Sequence, residues 1–155
     1  MSKSRPAPVS ALDAHLGFWL RFVSNQVSAE FQKAMESHGV SVTEWVALRT
    51  LYGESGSSHA SLMSALGMTK GAVSKVVSRL QDKDLVSRSA DAAQARAQVL
   101  ALTGAGRALV PRLAASADAN DARFFGHLTA TQRAQLLALL QQMVRHHGLK
   151  DVPLA

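Results

Sequence analysis

The 155-residue sequence contains no cysteine. That excludes a disulfide framework, a thiolate metal site, a cysteine nucleophile and a thiol redox switch. No apolar run approaches the roughly 20 residues that a membrane-spanning helix needs. The first residues, MSKSRPAPVSALDAHL, are basic but lack the apolar stretch and cleavage site of a secretory signal. A reducing cytoplasm is the expected setting, with no membrane partner. Acidic residues are also in short supply, at 11 Asp and Glu against 17 Lys and Arg, a formal net charge of +6. Such a balance favours anionic partners, of which nucleic acid is one.

Catalytic patterns are missing as well. Six histidines and several carboxylates are present, but there is no His-x-x-x-His, Gly-x-Ser-x-Gly or phosphate-loop spacing. The segment Gly67-Met68-Thr69-Lys70-Gly71 has small residues of the kind found in a phosphate loop, without that motif's spacing. His15, His38, His59 and His127 are scattered along the chain and suit surface or capping roles better than a zinc set. No enzyme, metal or cofactor is expected.

What remains is a chain long enough for a single domain with a real core, in which 47% of residues are hydrophobic and 18% charged. Residues 1–9, with Pro6 and Pro8, read as a flexible leader and residues 148–155 as a tail. Leu12, Leu16, Leu20, Val23, Val27, Phe31 and Met35 recur at steps of three and four, which predicts one face of a long helix. Phe18, Trp19 and Phe22 widen that stripe beyond a single core contact, so a second burial partner is expected. Ser37-His38-Gly39 supplies the stop. Ser41 and Glu44 then stand in capping-box spacing before Trp45, Val46, Leu48 and Leu51. Glycines and serines at 53–58 break the chain, and two helices follow, over 58–66 and 69–83, joined by Gly67-Met68.

After Leu85 the helical period stops, and residues 86–89 and 96–102 read as two strands around a loop. Thr103 caps a further helix, in which Pro111 implies a kink or a late start. A last helix begins near Thr129, with Gln132 in capping-box spacing and a strongly apolar run from Leu136 to Val144. His146 and His147 fall in its last turn.

The stretch GMTKGAVSKVVSRLQDKDLVSR, residues 67–88, carries the functional reading. Val73, Val76, Val77 and Leu80 face inward, while Lys70, Gly71, Ser74, Lys75, Ser78 and Arg79 fall on the other side. Glycine and small hydroxyl residues let a helix approach base edges, and Lys75 and Arg79 can reach bases or phosphates. Between Lys70 and Arg96 stand six Lys or Arg against three Asp. Any amphipathic surface helix carries lysines. The order of elements is more informative: short helix, glycine turn, polar helix, basic two-stranded hairpin. That is a winged helix-turn-helix.

From about Leu16 to Val144 the chain resembles the MarR family of transcriptional regulators, through LMSALGMTKGAVSKVVSRLQDKDLVSR and RAQVLALTGAGRAL. The resemblance implies a mainly helical fold with a small β-hairpin wing and N- and C-terminal dimerisation helices (10–38 and 104–147) flanking a winged module (41–103) within one domain, 10–147. It also implies a homodimer that binds double-stranded DNA as a ligand-responsive repressor. Ser61, Thr69, Lys70, Gly71, Ser74, Lys75 and Arg79 match helix-turn-helix positions, Arg88 matches the first wing strand, and Arg96 the wing-tip arginine. Two positions depart from the family pattern. Gln94-Ala95-Arg96 replaces Asp-x-Arg, so Gln94 can orient Arg96 only by a hydrogen bond. Asp84 stands where glycine is usual, and aspartate tolerates a left-handed backbone better than most residues. The resemblance further implies a small aromatic or carboxylated effector, for which Trp19, Trp45 and Arg49 are the candidate contacts. Plain packing of both tryptophans is the competing reading. A nonspecific architectural binder and a protein-binding winged helix are the alternative functions; the latter calls for exposed apolar anchors on the 69–83 helix.

Overall fold

A computed structural model describes residues 7–53, 58–90 and 98–154. In chain order the described elements are a single turn at Leu12–Ala14, α1 (Leu16–Ser37), α2 (Val42–Tyr52), α3 (His59–Leu66), α4 (Lys70–Asp82), β1 (Val86–Ala90), β2 (Gln98–Leu102), α5 (Gly104–Phe125) and α6 (Ala130–His146). The fold is mainly helical with a two-stranded antiparallel wing, as expected. Residues 1–6 of the expected leader, Ser55, Gly56 and Ser57, the hairpin tip with Gln94, Ala95 and Arg96, and Ala155 of the tail lie outside the described residues.

The long first helix starts later than its period suggests. Leu12 belongs to a separate turn, and His15 is extended (φ −95°, ψ 129°) before α1 begins at Leu16. The Leu12-to-Leu16 step of four fits a helix, but a backbone break at His15 divides it. The turn is held against α1 by the Trp19 indole, whose Nε1 donates to the Asp13 carbonyl (2.8 Å). At its other end α1 stops as expected, with Gly39 in the left-handed region (φ +79°).

Side-chain caps start the helices that follow. Ser41, Ser58, Thr69, Thr103 and Thr129 each accept a hydrogen bond from a backbone N–H three residues on. Thr129 and Gln132 form the reciprocal pair. Ser41 and Glu44 do not: the Glu44 carboxylate turns instead to Lys83, whose Nζ lies 2.7 Å from Oε2. Glu44 is buried, and a buried carboxylate is stabilised more by a cation than by one amide. Pro111 sits within a helix that already begins at Gly104, so the late-start alternative is excluded. Its ring nitrogen leaves the Arg107 carbonyl without the usual amide donor.

The core lies entirely in the middle of the chain. Met35 of α1, Leu48 and Leu51 of α2, Leu62 and Leu66 of α3, and the inward face of α4 pack with Leu100 of β2 and Val110 and Leu113 of α5. The hairpin joins it through its register, in which Val86 pairs with Leu102 and Arg88 with Leu100. Gly106 allows α5 to dock on the turn that follows α4, since a Cβ there would collide with the Leu85 carbonyl oxygen. The ends of the chain are different. Leu16, Trp19, Leu20, Phe22 and Val23 of α1 are exposed, as are Leu136, Leu137, Leu139, Leu140, Met143 and Val144 of α6.

Candidate nucleic-acid interface

α3 and α4 meet through a three-residue turn set by Gly67, which is left-handed (φ +63°) and closes α3. Thr69 then caps α4, accepting from the Ala72 amide (3.3 Å). Val73, Val76, Val77 and Leu80 are all buried, as expected. At roughly 1.5–3 kcal/mol per fully buried aliphatic side chain, this face fixes the rotation of the helix. The opposite side is therefore set in place: Thr69, Lys70, Gly71, Lys75, Ser78 and Arg79 are exposed. Ser61 and Ser74 are half-buried at its margin. The exposed side carries no large apolar residue, so the anchors that a protein-binding version calls for are absent from α4.

Arg88 and Lys83 behave differently from the other cations of this region. Arg88 lies two residues after the buried Val86 and so shares its inward face on the strand. Its Nη2 donates to the Ser74 carbonyl oxygen (3.2 Å) and to Ser78 Oγ (3.0 Å). This arginine fixes the hairpin root to α4, a role that its position in the sequence did not disclose. Lys83, at the C-terminal cap of α4, donates to the Gly39 carbonyl (2.8 Å) as well as to Glu44. The helix is thus tied at its middle to the wing and at its C-terminal end to the α1–α2 corner.

The end of α4 leads into the wing through a strained residue. Asp84 has φ +57°, the left-handed conformation expected where the family favours glycine. Its backbone groups are satisfied, with N–H donating to the Gln81 carbonyl (2.9 Å) and the carbonyl accepting from Thr103 Oγ1 (2.6 Å). The same threonine caps α5, so the hairpin's exit and entry share one anchor. Arg96, expected at the wing tip, lies outside the described residues.

Of the three candidate effector contacts, Trp19 lies on α1, while Trp45 and Arg49 stand one turn apart on α2. Trp19 is half-exposed and packs edge-on against Phe18, with ring centroids 5.2 Å apart. Trp45 rests against the core. Arg49 is exposed near the Tyr52 ring (6.0 Å to the centroid), whose other neighbour is Arg107 at 5.4 Å. A crevice of about 430 Å³ does open between α1, α2, α5 and the chain's end, lined by Val27, Phe31, Val42, Asn120 and Leu154 among others. Periodicity alone offered no signal for it, because its walls come from four separate parts of the chain. Among the described residues no group of three or more His, Asp or Glu is placed to hold a metal ion, and no helix is long and apolar enough to cross a membrane.

Known proteins share this arrangement. The sequence profile described as MarR family matches residues 38–97. The HTH-type transcriptional repressor Rv2887 of Mycobacterium tuberculosis is 34% identical over 131 residues, covering 84% of this chain and 94% of the relative. Among solved structures, BpsR of Bordetella bronchiseptica superposes with a TM-score of 0.73 at 26% identity, covering 88% of this chain and 97% of that one. Its DNA binding is regulated by 6-hydroxynicotinic acid. CouR of Rhodococcus jostii, solved with p-coumaroyl-CoA bound, gives a TM-score of 0.73 at 26% identity over 87% of this chain and 95% of that one.

Proposed function

This chain belongs to the MarR family of DNA-binding transcriptional regulators, and on that premise we propose that it acts as a homodimeric, effector-released repressor of a pseudo-palindromic operator. The observation that carries the DNA contact is α4 itself. Four buried aliphatic residues and the Arg88 and Lys83 ties hold it rigidly, with Lys70, Lys75 and Arg79 on its open side. Such a helix suits the major groove, with Gly71 and Ser74 allowing close approach and Lys75 and Arg79 reaching bases or phosphates. Arg96 enters the neighbouring minor groove in this reading, as the family pattern implies. Dimerisation is supported by the open apolar residues of α1 and α6, which one chain leaves in water.

The effector is a small aromatic acid or its conjugate, a reading supported by the ligands of BpsR and CouR. It must bind the DNA-incompetent arrangement better than the competent one to shift the equilibrium. Selection of duplexes from a random pool tests the whole reading. Two half-sites with centres about one helical turn apart are expected, and affinity should fall steeply with added salt as phosphate contacts release counterions. Equal affinity for every duplex would remove the operator from this account.

A further inference from the structure

The helix-turn-helix and the hairpin root leave space between them. A crevice of about 540 Å³ lies between the start of α3, the first turns of α4 and the two strands, lined by Ser58, His59, Lys70, Ser74, Arg88 and Gln98 among others. Two buried nitrogens, His59 Nε2 and Arg88 Nε, have no hydrogen-bond partner among the described residues. An unpaired buried polar atom is costly, so two on residues lining one crevice mark a place for a ligand that supplies acceptors. Among the described residues the fixed charge there has one sign, from Lys70 and Arg88, and no carboxylate lines the space. The first turn of α3 opens on it too. Ser58 Oγ takes the Ser61 amide (3.3 Å), which leaves the His59 and Ala60 amides without an intrahelical partner.

We propose that this crevice seats one phosphate of the DNA backbone, and that His59 binds it as the imidazolium, so that DNA binding takes up a proton. The inference rests on the DNA-binding reading above and adds to it a contact and a chemical linkage. With α4 in the major groove and the wing in the adjacent minor groove, the sugar-phosphate strand dividing the two grooves must pass between helix and hairpin. The crevice lies there. A phosphate diester offers only acceptors and a negative charge, which matches Lys70, the free Arg88 Nε and a protonated His59.

The proton linkage follows from the surroundings of the ring. In the free protein, burial first, then the positive charges of Arg88 and Lys70, hold the His59 imidazole below its ordinary value. A phosphate opposes both charge effects, so the complex has the higher value. A group whose pKa rises on binding gains a proton as the complex forms. Affinity therefore increases as pH falls through the interval between the free and bound values. Ser58, Ser74 and Gln98 carry no titratable group, and among the described residues His59 is the only histidine lining the crevice.

Phosphate contacts do not depend on sequence, so a fluorescein-labelled mixed-sequence duplex of about 30 base pairs serves as the probe. Its anisotropy is followed with the full chain at fixed ionic strength from about pH 8 to about pH 5.5. Wild-type affinity should rise over this range, and His59→Asn should remove about threefold to tenfold of the rise. Equal pH slopes in the two proteins would overturn the assignment. Nuclear magnetic resonance of the His59 ring gives a second readout: its pKa should rise when the duplex is added, and an unchanged or lower value would also overturn it. Inorganic phosphate alone should raise that pKa less than the duplex does. If it produces the whole rise and the duplex adds nothing, the site serves a free anion and not the DNA backbone. A wild-type protein that binds no duplex at any pH would instead defeat the DNA reading itself, an outcome distinct from binding with an unaltered slope.

Discussion

The middle of the chain and its two ends are both rich in apolar residues, yet they dispose of them in opposite ways. From Met35 to Leu113 the large aliphatic side chains close on one another, with Met35, Leu48, Leu62, Leu80 and Leu100 fully buried. In α6 and the first half of α1 the apolar side chains stand open, Phe22 at 61% and Leu139 at 51% exposure. The difference is between a finished core and half of one. A region that satisfies its own burial can serve as a rigid reading head. A region that cannot do so draws in a second copy, and with it sets the spacing between two heads.

Breaking the unfinished half should have the largest effect. Leu140→Asp together with Phe22→Asp places four charges at the two-fold interface of the proposed dimer. Sedimentation should show a monomer at micromolar concentration, and operator affinity should fall by about 100-fold or more as the linked second half-site is lost. Circular dichroism should still report a helical protein, because the core from Met35 to Leu113 needs no partner. A wild-type chain that sediments as a monomer, or a double variant that stays dimeric, would dissolve the contrast between the two regions.

A second experiment tests the finished half through the ion pair between Lys83 and the buried Glu44. Glu44 is buried, while the Lys83 side chain that joins it is 39% exposed. Lys83→Met should strand the carboxylate and cost about 1–3 kcal/mol, below the value for a fully buried pair because water reaches the lysine side. Urea unfolding should show a lower midpoint at constant slope. Adding Glu44→Gln should restore part of the loss, since the amide needs no counter-charge. If Lys83→Met is neutral, the corner between α1, α2 and α4 is held by packing alone.

These two regions were also unequally legible in the sequence. The inward face of α4 and the threonine caps at 103 and 129 could be read directly, because each follows from spacing within a few residues, while the left-handed Asp84 was legible only through the family resemblance. The open stripes on α1 and α6 were equally plain as an excess of apolar residues. The ties that hold the reading head were not. Arg88 meets Ser74 and Ser78 only because the hairpin register turns it inward, and Lys83 meets Glu44 across 39 positions of chain. His59 passed for a scattered histidine, since its crevice is assembled from α3, α4 and the two strands. The break at His15 was invisible for the opposite reason: side-chain period continued across it while the backbone did not.

The smallest expected effect sharpens the comparison from inside the closed region, at the one described non-glycine residue with positive φ. Asp84 holds φ +57° although its hydrogen bonds among the described residues are made through the backbone: its amide to Gln81 and its carbonyl to Thr103. Removing the side chain therefore costs neither of these bonds. Glycine reaches this conformation without the Cβ penalty of roughly 1–2 kcal/mol, offset by about 0.5–1 kcal/mol of extra backbone freedom in the unfolded chain. Aspartate already suffers less than most residues there, so Asp84→Gly should stabilise the protein by about 0.5 kcal/mol. Asp84→Ala separates strain from charge, because alanine keeps the Cβ and loses the carboxylate; it should be no more stable than the wild type. The ordering glycine above aspartate, with alanine at or below it, is measurable by urea midpoint. An Asp84→Gly protein less stable than the wild type would mean that the carboxylate contributes something beyond tolerance of the turn.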